Sequence, residues 1–166
     1  MSLITLKGVD YEDIANGVLQ NGHNLRFRAH GRSMWPSIQD GDMVEIQPVG
    51  EKRIRKGDVV LFNPRTECDN LIVHRVTKIR TENEVTRYTT QGDALYYPDG
   101  QITRDKVLGR VVSIEREGRL RRQNTPLARV ATSTWVIFLP AVRIIYSLYS
   151  KVYQKFFKHN RELTDT

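Results

Sequence analysis

Residues 56–64 read Lys56-Gly57-Asp58-Val59-Val60-Leu61-Phe62-Asn63-Pro64, a short β-prone run closed by a turn signal at each end. β-Branched and aromatic side chains favour the pleated backbone, whereas Gly-Asp and Asn-Pro interrupt it. The same unit recurs to both sides. Between Asp42 and Ile114 the pattern predicts β segments over Met43–Ile46, Asp58–Phe62, Leu71–Ile79, Val85–Thr90 and Val107–Ile114. Asp40-Gly41, Lys56-Gly57-Asp58, Asn63-Pro64, Thr81-Glu82-Asn83 and Pro98-Asp99-Gly100 punctuate them. Short strands at this density predict a mainly β body, a curled or partly closed antiparallel sheet, and not βαβ units.

Moving toward the N-terminus, Leu25, Phe27 and Ala29 alternate with Arg26, Arg28 and His30, the period of a half-buried strand. Before it, Asp10–Leu19 reads as a helix with Asp10 as N-cap, Ile14, Val18 and Leu19 at helical spacing, and Asn21-Gly22 as its stop.

Moving toward the C-terminus, residues 119–126 are polar and basic and read as a linker between a domain over 1–118 and a tail over 127–166. The apolar run Val130–Val142 is 13 residues long and contains Thr132-Ser133-Thr134 and Pro140, short of the roughly 18 to 20 that a membrane-spanning helix needs. From Pro140 onward Ala141, Ile145, Leu148, Val152 and Phe156 fall on one helical face, with Arg143, Lys151, Lys155 and Lys158 elsewhere. This basic amphipathic helix suits an anionic membrane interface, or packing on the body or on a second copy in a homo-oligomer.

Charge separates the same two regions. Of the 26 Lys+Arg and 19 Asp+Glu, residues 1–118 hold 17 and 17 and residues 119–166 hold 9 and 2, so the net +7 belongs to the tail. A neutral body argues against nucleic acid as a partner of the domain. Cys68 is the one cysteine, which excludes an intramolecular disulfide and a cysteine metal cluster. No metal constellation or cofactor motif is present. The first 13 residues mix Lys7, Asp10, Glu12 and Asp13 with apolar ones and lack a secretory apolar core, which predicts a cytoplasmic chain or one on the cytosolic membrane face.

Three polar residues stand out against this β frame. Ser33 lies in Gly31-Arg32-Ser33-Met34-Trp35-Pro36, His74 in Leu71-Ile72-Val73-His74-Arg75-Val76, and Asp99 six residues after the aspartate of Gln91-Gly92-Asp93. A serine hydroxyl is a weak nucleophile until a base takes its proton, neutral imidazole suits that task near neutral pH, and a carboxylate can hold the ring. The set points to a serine hydrolase.

In these blocks the chain resembles the signal peptidase I superfamily of serine proteases and its self-cleaving SOS-repressor relatives, over about residues 25–114. The carriers are Gly-x-Ser-Met-x-Pro at 31–36, the Gly-Asp turns Gly41-Asp42 and Gly57-Asp58, and the strand Val107-Leu108-Gly109-Arg110-Val111. Val73-His74-Arg75-Val76 resembles the histidine-base variant of the endoplasmic-reticulum and archaeal type, as does the six-residue step from Asp93 to Asp99. The resemblance implies Ser33 as nucleophile, with its backbone N–H at the oxyanion, His74 as general base and Asp99 as the orienting carboxylate. Met34 and Trp35 would wall the substrate cleft. Asp42, Asp58 and Asp93 each follow glycine and are expected to accept backbone N–H groups at turns, Asp93 being the alternative orienter.

The pattern is not matched everywhere. Gly31 stands where some relatives supply an oxyanion-stabilising hydroxyl, and nothing near the N-terminus resembles their membrane anchor, so the likeness does not extend to exported preproteins. No helix-turn-helix precedes the serine block and the base is not the lysine of the repressors, which argues against a self-cleaving transcription factor. The function expected is a serine endopeptidase acting on a specific peptide or small protein. Likeness to small soluble bacterial members found beside peptide-modification systems implies removal of a leader segment. The alternative is a non-catalytic peptide-binding or assembly module that keeps the cleft and binds an extended peptide at a sheet edge.

Overall fold

The computed structural model describes residues 9–64, 71–123 and 144. The chain runs from helix α1 (Val9–Gln20) into strands β1 (Leu25–Arg28), β2 (Met43–Pro48), β3 (Val59–Phe62), β4 (Ile72–Glu82), β5 (Val85–Gln91), β6 (Gly100–Thr103), β7 (Val107–Arg116) and β8 (Arg119–Arg122), with a 3-10 turn at Arg104–Lys106. All pairings are antiparallel. The sheet order is β1-β2-β7-β3-β4-β5-β6, with β8 paired to β7. The body is therefore mainly β, as expected, and its sheet is curled but not closed.

Strand β3 shows why. All four of its residues are buried, and alternate side chains enter two different clusters. Val59 and Leu61 join Leu19, Met34, Ile38, Val44, Ile46, Val111 and Ile114. Val60 and Phe62 join Val49, Ile54, Val76, Tyr88, Ile102 and Val107. A sheet with apolar matter on both faces must bend around one cluster while covering the other. Where β2 crosses β7 the backbone comes so close that a Cβ on Gly109 would lie 2.3 Å from Ile46 Cγ2.

Helix α1 packs against β1, β2 and β7 and covers the first cluster. It differs from the expected helix at both ends of the reading. It begins at Val9, so Asp10 lies inside it and is not the N-cap. Ala15 and Leu19 form its buried positions, while Ile14 is exposed, because the small Ala15 lets the helix axis approach the sheet. Its end is a Schellman motif: Gly22 has φ +80°, His23 N–H donates to Val18 O, and Gly22 N–H donates to Leu19 O.

A second difference falls on the basic linker. Arg119–Arg122 is an edge strand, its four residues all exposed and paired through Ser113↔Arg122 to Arg116↔Arg119. Three arginines and one leucine give no alternation to read, and charge is what a free sheet edge tolerates. The remainder of the linker, and the tail apart from residue 144, lie outside the described residues. Among the described residues no helix is long and apolar enough to cross a membrane.

Candidate active site

Ser33 is placed by the loop between β1 and β2. Two bonds zip the base of that loop: Ala29 N–H donates to Asp42 O at 2.8 Å and Gly41 N–H to Ala29 O at 2.9 Å. Gly31, at φ +93°, turns the chain where a side chain would be strained, and its N–H donates to Asp40 Oδ1 at 2.9 Å. Met34 and Ile38 then sink into the first cluster. Met34, expected to wall the cleft, is thus a core anchor that fixes the peptide next to Ser33; Trp35 is half-buried.

His74 sits on β4 opposite Val60, with the Phe62 ring tilted against it at a centroid distance of 6.4 Å. Asp99 closes the β5–β6 connection, where its N–H donates to Thr90 O at 3.0 Å. These three segments meet. His74 Nε2 is 2.9 Å from Ser33 Oγ, and His74 Nδ1 is 2.6 Å from Asp99 Oδ2. The imidazole and the carboxylate are 6% and 16% exposed, so the contact is shielded from water. An ionised carboxylate can only accept, hence the tautomer that fits carries its proton on Nδ1 and leaves Nε2 free to accept from the serine. Such a chain can withdraw the Oγ proton as Oγ attacks a carbonyl.

Asp93 is not on the imidazole. It is fully buried and bound by Arg75, the residue after His74: Arg75 Nε donates to Oδ1 at 2.8 Å and Nη2 to Oδ2 at 2.7 Å. Ser37 Oγ also hydrogen-bonds Asp93 and accepts from Arg75 Nη2 at 3.1 Å. Arg75 Nη1 donates to Gly57 O at 2.9 Å. The expected turn role for Asp93 is thereby replaced by a buried ion pair. Arg75 and Ser37 are the residues that reading the sequence passed over; a charged residue inside an apolar strand, next to the histidine, was the available signal.

Asp42 and Asp58 do accept turn N–H groups, from Gln39 at 2.7 Å and Arg55 at 2.9 Å. Both also meet arginines of β7: Arg116 clasps Asp42 at 2.9 and 2.7 Å, and Arg110 lies 3.3 Å from Asp58. Burial alone would raise the Asp42 carboxyl. The Arg116 and Gln39 hydrogen bonds, with the guanidinium charge, outweigh it and hold Asp42 below the ordinary carboxylate range. The same pairing raises Arg116.

The two arrays share walls. Ala94 N–H donates to Ser33 O at 2.9 Å, and a Cβ on Gly92 would lie 2.6 Å from that carbonyl oxygen. Only glycine lets the segment leading to Asp99 close on the serine.

A serine, an imidazole and a carboxylate joined in this order define a serine-hydrolase type of site. The chain belongs to the peptidase S24-like family, whose model matches residues 3–112 and so takes in all three residues. No curated protein matches the chain. Membership of this family supports a protease-like enzyme.

Proposed function

We propose that the protein is a serine endopeptidase in which Ser33 is the nucleophile, His74 the general base and Asp99 the carboxylate that fixes the ring. The observation that carries this is the continuous hydrogen-bonded chain from Ser33 Oγ through His74 to Asp99, at 2.9 and 2.6 Å. Ser33 Oγ attacks the scissile carbonyl as Nε2 takes its proton, and Asp99 offsets the charge left on the imidazolium. The tetrahedral oxyanion faces the Ser33 backbone N–H. His74 returns the proton to the departing amine, leaving an ester on Ser33. A water, deprotonated by the same Nε2, then releases the acyl group and restores the serine.

The histidine in place of a lysine aligns the site with the histidine-base variant of the signal peptidase superfamily, and a specific peptide or leader segment is the substrate class that this reading favours. The test is covalent labelling with a fluorophosphonate. The wild-type protein should be modified at Ser33, and Ser33→Ala and His74→Ala should each abolish both labelling and peptide cleavage while melting normally. A wild-type protein that is never labelled would return the domain to a peptide-binding role.

A further inference from the structure

We infer that Tyr96 and Tyr97 form a specificity platform that reads an apolar or aromatic side chain of the substrate beside the scissile bond; this rests on the peptidase reading of Ser33. Among the large apolar residues that the described residues expose, Leu95, Tyr96 and Tyr97 are the only ones consecutive in sequence, at 38%, 54% and 84% exposure. They occupy the connection between Asp93 and Asp99, so the catalytic carboxylate ends the same loop.

That loop is pinned at every turn. Gln91, itself buried, donates from Nε2 to Leu95 O at 2.9 Å and to Tyr96 O at 3.0 Å. Leu95 N–H donates to Gly92 O at 3.1 Å, and Asp99 N–H to Thr90 O at 3.0 Å. Leu95 folds over Gly92, with its Cγ and Cδ1 2.9 Å from where a Cβ would be. The two rings are therefore displayed on a fixed backbone, and binding against them orders little that is not already ordered.

Their position matches the site. Ala94 bonds the Ser33 carbonyl, and Tyr96 follows it by two residues, which bounds the Cα separation at about 7 Å. An extended peptide advancing about 3.3 Å per residue meets the platform about two to four residues from the scissile bond. Aromatic side chains at such a surface prefer aromatic or aliphatic partners, and each pair adds about two- to tenfold in affinity beyond area burial. The hydroxyls keep the platform soluble while it waits for substrate.

The test is protection of Ser33 from fluorophosphonate by a decapeptide carrying two phenylalanines, against the same peptide with both replaced by serine. Labelling without peptide sets the reference for each protein. On the wild type the phenylalanine peptide should protect at about tenfold lower concentration than the serine peptide. Tyr96→Ser/Tyr97→Ser should bring the two within about twofold of each other, and Tyr96→Phe/Tyr97→Phe should keep the difference. Tyr97→Ser alone, at the more exposed ring, should reduce it if the double variant folds poorly. Equal protection on the wild type, or a serine variant that discriminates as the wild type does, overturns the platform; the latter is what a role in covering another segment of the chain or touching lipid would give. A wild-type protein that is not labelled at all fails earlier and overturns the peptidase reading itself.

Discussion

Asn substitutions at the two neighbouring aspartates should separate stability from chemistry. Asp93→Asn leaves the shape of the side chain and removes its charge. Arg75, 4% exposed against a fully buried carboxylate, is then left without a counter-charge. One of its two contacts at 2.8 and 2.7 Å also becomes N–H facing N–H. Breaking one side of a buried pair costs about 3–5 kcal/mol, a large share of the roughly 5–15 kcal/mol that holds a domain together. With a urea slope of about 1.5 kcal/mol/M the midpoint should fall by about 2–3 M. Asp99→Asn should behave in the opposite way. It removes a single contact from a rim position, but an amide at Nδ1 favours the tautomer whose Nε2 carries a proton, so peptide cleavage should fall on the order of 10³–10⁴-fold with little change in the midpoint. The assay is urea unfolding beside fluorophosphonate labelling in buffer. An Asp93→Asn midpoint within about 0.5 M of wild type would refute the claim that this pair carries the stability, and a folded but unreactive Asp93→Asn beside a normal Asp99→Asn would exchange their roles.

Gly92→Ala would place a methyl 2.6 Å from Ser33 O and 2.9 Å from Leu95; a loss of about 1–3 kcal/mol and at least about tenfold slower labelling are expected from the displaced serine. Gly17→Ala, with open space around the new Cβ, should instead stabilise the helix by about 0.5–1 kcal/mol, read as a higher urea midpoint. Acid should weaken the fold through Asp42. Its folded carboxyl is held below the ordinary value of 3.8, so its contribution is complete above that value and is lost as pH falls through the lower folded one. Urea midpoints taken between about pH 5 and about pH 2.5 should decline, and Asp42→Asn should flatten that decline.

The strands that turn signals frame were legible because each turn interrupts a β-prone run. What escaped did so for physical reasons. In β6 one residue, Ile102, is buried, and the strand starts inside the Pro98-Asp99-Gly100 turn, so nothing periodic marks it. Strand β4 continues to Glu82, past the apolar pattern, because hairpin pairing with β5 carries exposed residues as readily as buried ones. The site was legible for Ser33, His74 and Asp99, each in a local block that restricts its surroundings. The Arg75–Asp93–Ser37 cluster was not, because β4 buries His74, Arg75 and Val76 in succession. Alternation gives no direction for a side chain on a strand covered on both faces, and a partner 18 residues away leaves no local trace.

The strand order separates the site into two halves. Ser33 belongs to the β1–β2 limb, while His74 and Asp99 belong to β3 through β6, and within the sheet these limbs are joined through β7, the late strand inserted between β2 and β3. During synthesis the nucleophile and its base are therefore made early yet have no common sheet until residues 107–116 emerge from the ribosome. A nascent chain cannot be a partial enzyme. Whatever the mature protein cuts, the cell is spared that activity, and the chain is spared its own, until the domain is finished.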